Sequence, residues 1–311
     1  MEPYRHIPVL LNETIEGLNI KPNGIYVDCT MGGAGHASEI LKRLNEKGHL
    51  YCFDQDDYAI NRGNLALKQI GNNYTIIKSN FANIKDELAK INVLQVDGIL
   101  YDLGVSSFQF DIADRGFSYN KDAILDMRMD PNQYLRAYDI VNYYSLDELK
   151  KIFYQYGEEK FSANIAKKII QKRAIKPIET TSQLVDVIFE AVPAYVRRKA
   201  GHPAKKVFQA LRIAVNDELN VFERSLKDAL TILRSNGRIA VISFHSLEDR
   251  ITKNIFRENV DVKLPKGLPV KDADIVRKFV LVNNKVITAN EEELVVNNRA
   301  HSAKLRIIEK L

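Results

Sequence analysis

Cysteine is scarce in this sequence, which has only Cys29 and Cys52 among its 311 residues. Two cysteines cannot build the disulfide framework of a small secreted domain, and their spacing offers no zinc site. Both lie in strands predicted to be buried, which favours a reduced, cytoplasmic compartment. The six histidines do not cluster along the sequence, so we expect no metal site.

Long hydrophobic runs are missing as well. None approaches the roughly 18 apolar residues of a membrane span, and residues 1–13 lack the basic start and long apolar core of a signal peptide. We therefore expect no membrane partner. With 45% hydrophobic and 27% charged residues, the chain is ordinary for a globular protein. Its length suits one large α/β domain, or one with an inserted second domain.

Two nucleotide-binding motifs are absent or incomplete. No phosphate-binding G-K-[ST] string occurs, which excludes a P-loop. The dinucleotide fingerprint G-x-G-x-x-G fails because Ser38 stands three residues after Gly35. The pattern that packs a dinucleotide pyrophosphate is therefore incomplete.

The stretch GIYVDCTMGGAGH, residues 24–36, carries the clearest functional signal. Residues 25–27 predict a buried strand that ends at Asp28, glycines then crowd a turn, and a helix is predicted from His36. A second apolar strand, LYCF, ends at Asp54. A strand, a glycine turn, a helix and a second strand ending in a carboxylate form a unit that binds nucleoside-bearing cofactors.

Asp28 helps to choose among such cofactors. A carboxylate just before the turn suits a positively charged ligand better than a pyrophosphate. S-adenosylmethionine, with a sulfonium, an ammonium and a ribose, fits this description. Gly33 in the turn lets the backbone approach the ligand, and Asp54 accepts hydrogen bonds from ribose hydroxyls. The alternative is a tight strand–helix turn whose acidic strand end has no ligand.

Strands and helices alternate through the first third of the chain. Further strands are predicted at 74–81 and from 96 to Asp102, and helices at 9–20, 56–71 and 84–91. This alternation predicts a parallel sheet with helices on both faces, whose ligands lie beyond the carboxyl ends of the strands. The residues expected on that rim are Asp28, Asp54, Phe81 and Asp102.

From Phe110 the pattern changes to a long loop followed by helices at 145–156, 158–174 and 181–192. Capping boxes open two of these helices, with Ser145 and Glu148 in one and Thr180 and Gln183 in the other. We interpret residues 111–205 as a helical insertion into a discontinuous α/β domain made of residues 1–110 and 206–311.

The last third of the chain is predicted to return to the sheet. One long helix is expected over 207–235, closed by Asn236-Gly237, and then a strand over 239–244. An Asn-Asn turn predicts a hairpin over 279–289, and 303–311 predicts a terminal strand. A late antiparallel strand in a parallel sheet is typical of methyltransferase folds rather than dehydrogenases.

Charge is distributed unevenly along the chain. Residues 160–216 contain twelve Lys and Arg against three acidic residues, a net charge of +9, so the rest of the chain carries −4 out of a total of +5. A basic region on a mildly acidic protein suggests contact with a polyanion, and we expect it to bind RNA phosphates. The residues expected to do so are Arg197, Arg198, Lys199, Lys205, Lys206 and Arg212.

Several strings together resemble one family, the bacterial cytidine N4-methyltransferases of small-subunit ribosomal RNA (RsmH, formerly MraW). They are HIPVLLNE (6–13), GGAGH (32–36), DLGVSSFQ (102–109), DRGFS (114–118), DMRMD (126–130), YGEEKF (156–161), HPAKKVFQALRIAVNDEL (202–219), ISFHSLEDR (242–250) and SAKLR (302–306). The chain departs from the family pattern at Phe108, where the family usually has Pro. It departs again at 298–301, where NRAH replaces Pro-Arg-Ala-Arg.

The resemblance implies a Rossmann-like, S-adenosylmethionine-dependent methyltransferase sheet with the helical insertion as RNA-recognition domain. The substrate it implies is a cytidine of 16S ribosomal RNA in the small subunit, methylated at N4. It also implies cofactor contacts from Ala34, Gly35, His36, Asp54, Phe81, Asp102 and Gln109. His36, Ala34 and Gln109 rest on the resemblance alone.

Asp102 is our candidate catalytic residue, as the acceptor of an N4 hydrogen of cytosine or as the group that orients it; a contact to the cofactor alone is the other interpretation. Phe244 and His245 are candidates to hold an extruded cytosine. The alternative is that Phe244 is a core residue and His245 a turn residue. Carbon-5 methylation is disfavoured because neither cysteine is expected on the rim. No two prolines are adjacent, so the Pro-Pro-aromatic motif of many amino-methyltransferases is missing.

Two other functions remain open on this evidence. One is a small-molecule methyltransferase whose basic insertion is a lid, and the other is an RNA-binding ribosome-assembly factor that kept a vestigial cofactor pocket. The intact Asp54, Asp102 and glycine turn disfavour a vestigial pocket. The sequence leaves open whether the chain is a monomer or a homodimer.

Overall fold

A computed structural model describes residues 7–105, 113–198, 201–261 and 277–311 of the chain. The chain divides into two compact units. The first consists of Met1–Gly104 and Leu219–Leu311, and the second of Val105–Glu218.

The first unit is built on one seven-stranded sheet. Its strands, in the spatial order β3-β2-β1-β4-β5-β7-β6, are parallel except for β7, which is antiparallel to both of its neighbours. The strand bounds are β1 Ile25–Asp28, β2 His49–Asp54, β3 Tyr74–Lys78, β4 Val96–Asp102, β5 Leu233–Ser243, β6 Phe279–Leu281 and β7 Lys304–Lys310. The expected parallel sheet with a late antiparallel strand is confirmed.

Helices cover both faces of this sheet. Successive strand residues point to opposite faces. Val27, Ile99 and Val241 therefore pack into one buried cluster, and Leu50 and Leu100 pack into another. The helices of this unit are α1 Leu11–Leu18, α2 Gly35–Leu41, α3 Asp57–Lys68, α4 Ile84–Lys90, α11 Glu218–Ile232, α12 Ser246–Val260 and α13 Glu291–Val296.

The second unit is helical. Its helices are α5 Ala137–Tyr143, α6 Leu146–Gln155, α7 Ser162–Arg173, α8 Thr181–Ala191, the short α9 Ala194–Arg197 and α10 Lys205–Asn216. Both expected capping boxes are present, at Ser145 for α6 and at Thr180 for α8. The apolar faces of these helices meet in one core that includes Ile140, Phe153 and Leu211.

The expected single helix over 207–235 is wrong. Asp217 adopts the left-handed conformation (φ 50°) and separates α10 from α11, which Asp tolerates better than most residues. Residues 233–235 already belong to β5, because Leu233 pairs with Val96. Helix α10 lies within the second unit, so the sheet domain resumes after Glu218 rather than at residue 206.

The expected hairpin over 279–289 is wrong as well. Val282 donates its backbone N–H to Ile307 O, and Ile287 pairs with Leu305, so both halves of the segment pair with β7. Asn283 closes the gap between them, since its side chain accepts from Ile307 N–H and donates to Leu305 O. The Asn-Asn pair therefore bulges out of one edge strand instead of reversing it.

In the parts of the chain described above, no helix has both the length and the apolar composition needed to cross a membrane.

Candidate active site at the carboxyl ends of the strands

Three carboxylates lie at the ends of three neighbouring strands. Asp54 ends β2, Asp28 ends β1 and Asp102 ends β4. After β1 the chain adds strands toward β3, and from β4 onward it adds them toward the opposite edge. The sheet thus has its topological switch point between β1 and β4, where open α/β sheets bind ligands.

The loop after β1 ties these strand ends together by hydrogen bonds. Asp28 Oδ1 accepts from Thr30 N–H at 3.0 Å, and Thr30 Oγ1 accepts from the backbone N–H of Asp102 at 2.7 Å. Asp54 Oδ2 accepts from Gly32 N–H at 2.9 Å. Thr30 therefore links β1 to β4, and Gly32 links the same loop to β2.

The turn itself is held in a strained conformation. Gly32 has φ 49°, and Ala34 at the N-cap of α2 has φ 61°, a left-handed conformation that alanine rarely adopts. Gly35 is required for a different reason, because a Cβ there would lie 2.3 Å from Pro8 Cγ. Pro8 belongs to the HIPVLLNE string, so that string packs directly on the turn.

His36 points into the protein rather than into solvent. Its ring is 5% exposed, with Nε2 3.1 Å from Val9 O and Nδ1 3.5 Å from Asp102 Oδ2. Burial alone would lower the pKa of His36. The hydrogen bond to Asp102, with the negative charges of Asp102 and Asp28, outweighs burial and raises the pKa above its ordinary value. His36 thus holds one oxygen of Asp102.

Mutual repulsion and burial disfavour ionisation of the acids. Burial, with a smaller contribution from the charges of Asp102 and Asp54, raises the pKa of Asp28 to about 6, although the Thr30 N–H and His36 act to lower it. Burial also raises the pKa of Asp54 to about 6, against the hydrogen bonds from Asp56 and Gly32. A ligand with positive charge relieves this repulsion, whereas a pyrophosphate adds to it.

The two carboxylate oxygens of Asp102 differ in their surroundings. Asp102 Oδ1 is buried and, among the described residues, has no hydrogen-bond partner. Buried polar atoms are rarely left unsatisfied, and exceptions often mark functional groups. The oxygen is suited to accept a hydrogen bond from a bound molecule. With three carboxylates around it, the site fits S-adenosylmethionine.

Phe81 lies just past β3, in the turn Phe81–Asn83. Its carbonyl accepts a hydrogen bond from Ser225 Oγ at 2.8 Å, and Ser225 Oγ lies 2.7 Å from the Tyr101 hydroxyl. The rings of Phe81 and Tyr101 meet edge to face, with centroids 5.7 Å apart. The buried side chains of Tyr101 in β4 and Ser225 in α11 thus fix the turn that carries Phe81.

Phe244 and His245 follow β5, next to β4. Phe244 is half-buried, and its Cδ2 lies 3.6 Å from the point where Gly104 would carry a Cβ. His245 is the N-cap of α12, and its Nδ1 accepts a hydrogen bond from Glu248 N–H. The Glu248 carboxylate accepts in turn from the backbone N–H groups of Phe244 and His245. His245 Nε2 lies 3.1 Å from Glu248 Oε1 without the alignment of a hydrogen bond.

The expected RNA-contacting residues of the second unit differ in their surroundings. Arg197, Arg198, Lys205 and Lys206 are exposed. Arg212 is 14% exposed and pairs with Glu218, Nε to Oε1 at 2.8 Å, so its charge is neutralised within the unit. Gln109 and Lys199, named from the sequence, lie outside the described residues.

Sequence reasoning missed Thr30, Pro8 and Ser225. Thr30 sits between a strand and a glycine turn, where a hydroxyl residue is common and carries no special signal. Pro8 and Ser225 act through contacts with residues distant in the sequence, at Gly35 and Phe81. No local pattern reveals such contacts.

The first unit has a doubly wound sheet with one antiparallel strand, β7, and an acidic switch point where, among the described residues, Asp102 Oδ1 has no hydrogen-bond partner. This fold and this site define the class of Rossmann-like S-adenosylmethionine-dependent methyltransferases. Comparison with known proteins narrows that class. The chain belongs to the MraW methylase family, which matches residues 3–311.

The relatives include a protein from Streptococcus dysgalactiae subsp. equisimilis named ribosomal RNA small subunit methyltransferase H. It is 55% identical over 310 residues, which are 99% of this chain and 98% of the relative. Solved structures with similarity include an rRNA methylase from Streptococcus thermophilus (12% identical, 99% of each chain, TM-score 0.44). Another is an S-adenosylmethionine-dependent O-methyltransferase from Thermotoga maritima (9% identical, 100% of this chain and 68% of that one, TM-score 0.42).

Proposed function

We propose that the chain transfers a methyl group from S-adenosylmethionine to N4 of a cytidine in the 16S RNA of the small ribosomal subunit. The observation that carries the proposal is the buried Oδ1 of Asp102 at the switch point, which has no hydrogen-bond partner among the described residues. Membership of the MraW methylase family, and 55% identity to a small-subunit rRNA methyltransferase, support the substrate class.

The residues of the rim have distinct parts in this proposal. When bound, S-adenosylmethionine supplies an electrophilic methyl group. The acidic rim favours its positive charge, Asp54 accepts from ribose hydroxyls, and the turn from Gly33 to His36 brings the backbone close to it. Phe81 packs near the adenine, and Gln109, outside the described residues, stays a predicted contact.

Asp102 acts on the acceptor amine. The lone pair of cytosine N4 is delocalised into the ring, so the amine is a poor nucleophile. A carboxylate oxygen that accepts a hydrogen bond from N4–H turns the lone pair toward the methyl group. Positioning of this kind supplies most of the acceleration in an in-line displacement. His36 occupies Oδ2, which leaves Oδ1 to face the base. Phe244, over Gly104, is proposed to pack against the extruded cytosine.

The experiment uses small subunits from cells that lack this gene, labelled S-adenosylmethionine and mass spectrometry of the nucleosides. Labelled N4-methylcytidine that disappears with Asp102→Ala supports the proposal. Cofactor binding with no label in any RNA contradicts it and favours a small-molecule methyltransferase. RNA binding without cofactor binding favours an assembly factor.

A single-turnover measurement separates the two roles of Asp102. If Asp102→Asn keeps the wild-type rate at saturating cofactor and loses only cofactor affinity, Asp102 is a cofactor contact and not the acceptor. The corresponding test for Phe244 is Phe244→Ala, which should raise the KM for subunits and leave cofactor affinity unchanged. Equal losses of both would indicate a folding defect.

We also propose that the enzyme acts in the cytoplasm, where bacterial ribosomal subunits are assembled. A homodimer stays a prediction, to be checked by light scattering of the purified protein.

A further inference from the structure

The cations of the second unit differ in whether an acid pairs with them. Lys168 and Lys172 both pair with Glu190, and Arg212 pairs with Glu218. In the described residues, no carboxylate pairs with Lys160, Arg198 or Lys205, which are all exposed. The sequence alone counts these groups equally, but within the described residues the second group has no carboxylate partner.

Three segments bring the unneutralised cations together. Lys206, at the start of α10, donates from Nζ to Glu158 O at 2.9 Å, which joins α10 to the turn before α7. Phe161 in that turn meets the ring of Tyr195 at 6.5 Å between centroids, which joins the turn to α9. Lys160, Arg198 and Lys205 sit on or next to these three segments. Glu158 and Glu159 lie in the same turn, and the carboxylate of buried Glu159 accepts from Phe161 N–H.

An aromatic ring lies among these cations. Tyr195 is 58% exposed although its ring contacts Phe161. Exposed tyrosine beside lysine and arginine is the arrangement with which proteins bind single-stranded nucleic acid, the bases stacking on the ring and the phosphates contacting the cations.

We propose that Lys160, Tyr195, Arg198, Lys205 and Lys206 form a stacking patch that binds an unpaired segment of the RNA substrate, with one base on Tyr195. The proposal rests on the proposed function, since it takes RNA as the substrate. Within that function it assigns two residues, Lys160 and Tyr195, that the basic sequence pattern did not single out. It also separates Arg212, which has an internal partner, from the cations that face the RNA.

The test measures binding of a labelled, unstructured oligoribonucleotide, an RNA duplex and heparin by fluorescence anisotropy. Tyr195→Ala should weaken binding of the single strand about tenfold, because a base loses its stacking partner. Binding of the duplex and of heparin, which offer no free base, should change less than about twofold. Tyr195→Phe should bind the single strand like the wild type.

Tyr143 and Lys176 provide matched controls. Arg173 at the end of α7 donates to Tyr144 O, so both controls lie at the opposite end of a 12-residue helix, about 18 Å from Phe161. Tyr143→Ala and Lys176→Gln should leave single-strand binding unchanged, whereas Lys160→Gln should weaken binding of all three polyanions. Unchanged affinity for S-adenosylmethionine and an unchanged Tm show that a variant is folded.

Equal binding of the single strand by wild type and Tyr195→Ala would overturn the proposal. An equal loss of heparin binding in Tyr195→Ala would overturn it too, since a base-free polyanion cannot report stacking. If small subunits are methylated with the same KM by wild type and Tyr195→Ala, the patch is refuted and the proposed function stands. If no RNA is methylated while Tyr195 still governs single-strand binding, the patch stands and the proposed function fails.

Discussion

The carboxylates of Asp28, Asp54 and Asp102 end three adjacent strands, and their ionised forms repel one another. Folding forces them together because the same parallel sheet that buries the core also aligns the carboxyl ends of its strands. The site is therefore electrostatically unfavourable without a ligand, and a cationic ligand lowers its energy. The pKa of Asp28 is about 6 mainly because burial raises it, and the charges of Asp102 and Asp54 contribute less; burial also raises the pKa of Asp54 to about 6.

Asp28→Asn is expected to stabilise the ligand-free protein near neutral pH. The folded pKa of Asp28 is raised, so the folded state binds more protons than the unfolded state between about pH 4 and pH 6, and stability falls as pH rises through that window. Asn keeps the acceptor for Thr30 and removes the charge, which should add about 3 kcal/mol at pH 7. Urea unfolding at pH 7 and pH 4.5 checks this, with a clearly larger gain expected at the higher pH. An equal gain at both would contradict the electrostatic cause.

Cofactor affinity should fall as the pH drops through 6. Asp28 and Asp54 are ionised above that value and favour the sulfonium and ammonium charges, whereas their protonated forms do not. We expect the Kd for S-adenosylmethionine to rise about tenfold from pH 7.5 to pH 5. Calorimetric titration across this range checks it, and Asp28→Asn should flatten the profile. A pH-independent Kd in the wild type would count against the acidic rim as the cofactor site.

Ser225→Ala should weaken cofactor binding without slowing the methyl transfer itself. Ser225 is fully buried and donates to the carbonyl of Phe81, so its removal loosens the turn that is proposed to contact the adenine. The expected cost is about 1–2 kcal/mol in cofactor affinity, or a roughly five- to thirtyfold higher Kd. Single-turnover rates at saturating cofactor should stay within twofold. Ser225→Thr retains the hydroxyl and should restore affinity if the hydrogen bond is the cause.

At the scale of elements, the motifs that carry the family resemblance have different structural roles. GGAGH forms the turn of the site. DMRMD forms a structural loop, in which Arg128 binds Asp126 through two charge-assisted hydrogen bonds of 2.8 Å. Asn216 at the end of α10 then accepts from Met129 N–H and donates to Met127 O. The loop is thereby fixed to α10 within the second unit.

Asn216→Ala should destabilise the second unit. The substitution leaves the backbone N–H of Met129 and the carbonyl of Met127 without their side-chain partner, at a cost of about 2 kcal/mol. Asn164, an exposed amide on α7, provides the control, and Asn164→Ala should change stability by less than about 0.5 kcal/mol. Hydrogen exchange of the second unit checks both. Exchange in β1 and β4 should be unaffected, and increased exchange there would contradict a local role.

At the scale of the whole molecule, charge is divided between the two units. The basic region of residues 160–216 lies within Val105–Glu218, while the cofactor rim of the first unit is acidic. One unit is thus suited to a polyanion and the other to a cationic cofactor.

The salt dependence of RNA binding should distinguish paired from unpaired cations. Each phosphate contact to single-stranded RNA contributes about 0.7 to the slope of log Kobs against log salt. The triple variant Lys160→Gln, Arg198→Gln, Lys205→Gln should therefore lower the slope by about 2. Lys168→Gln should change it less, since Lys168 already pairs with Glu190 at 3.1 Å. Equal slopes for the triple variant and wild type would contradict phosphate contacts at these residues.

The sequence by itself determined the local elements and the identity of the rim. Strand and helix periodicity, glycines and capping residues act over a few residues of sequence. The sequence alone therefore predicts the strands that end at Asp28, Asp54 and Asp102. It also predicts the capping boxes at Ser145 and Thr180. The resemblance to the family added the class of cofactor and the expectation that His36 lies at the site.

Tertiary structure decided the rest, because the deciding contacts join residues far apart in the chain. Pairing of both Val282 and Ile287 with β7 turned an expected hairpin into a bulged edge, and Asp217 broke an expected helix. Which cations remain unneutralised depends on where Glu190 and Glu218 lie in space, which composition does not record. The lack of a partner for Asp102 Oδ1 among the described residues is likewise a property of packing, since only the folded sheet places His36 beside Oδ2 and buries Oδ1.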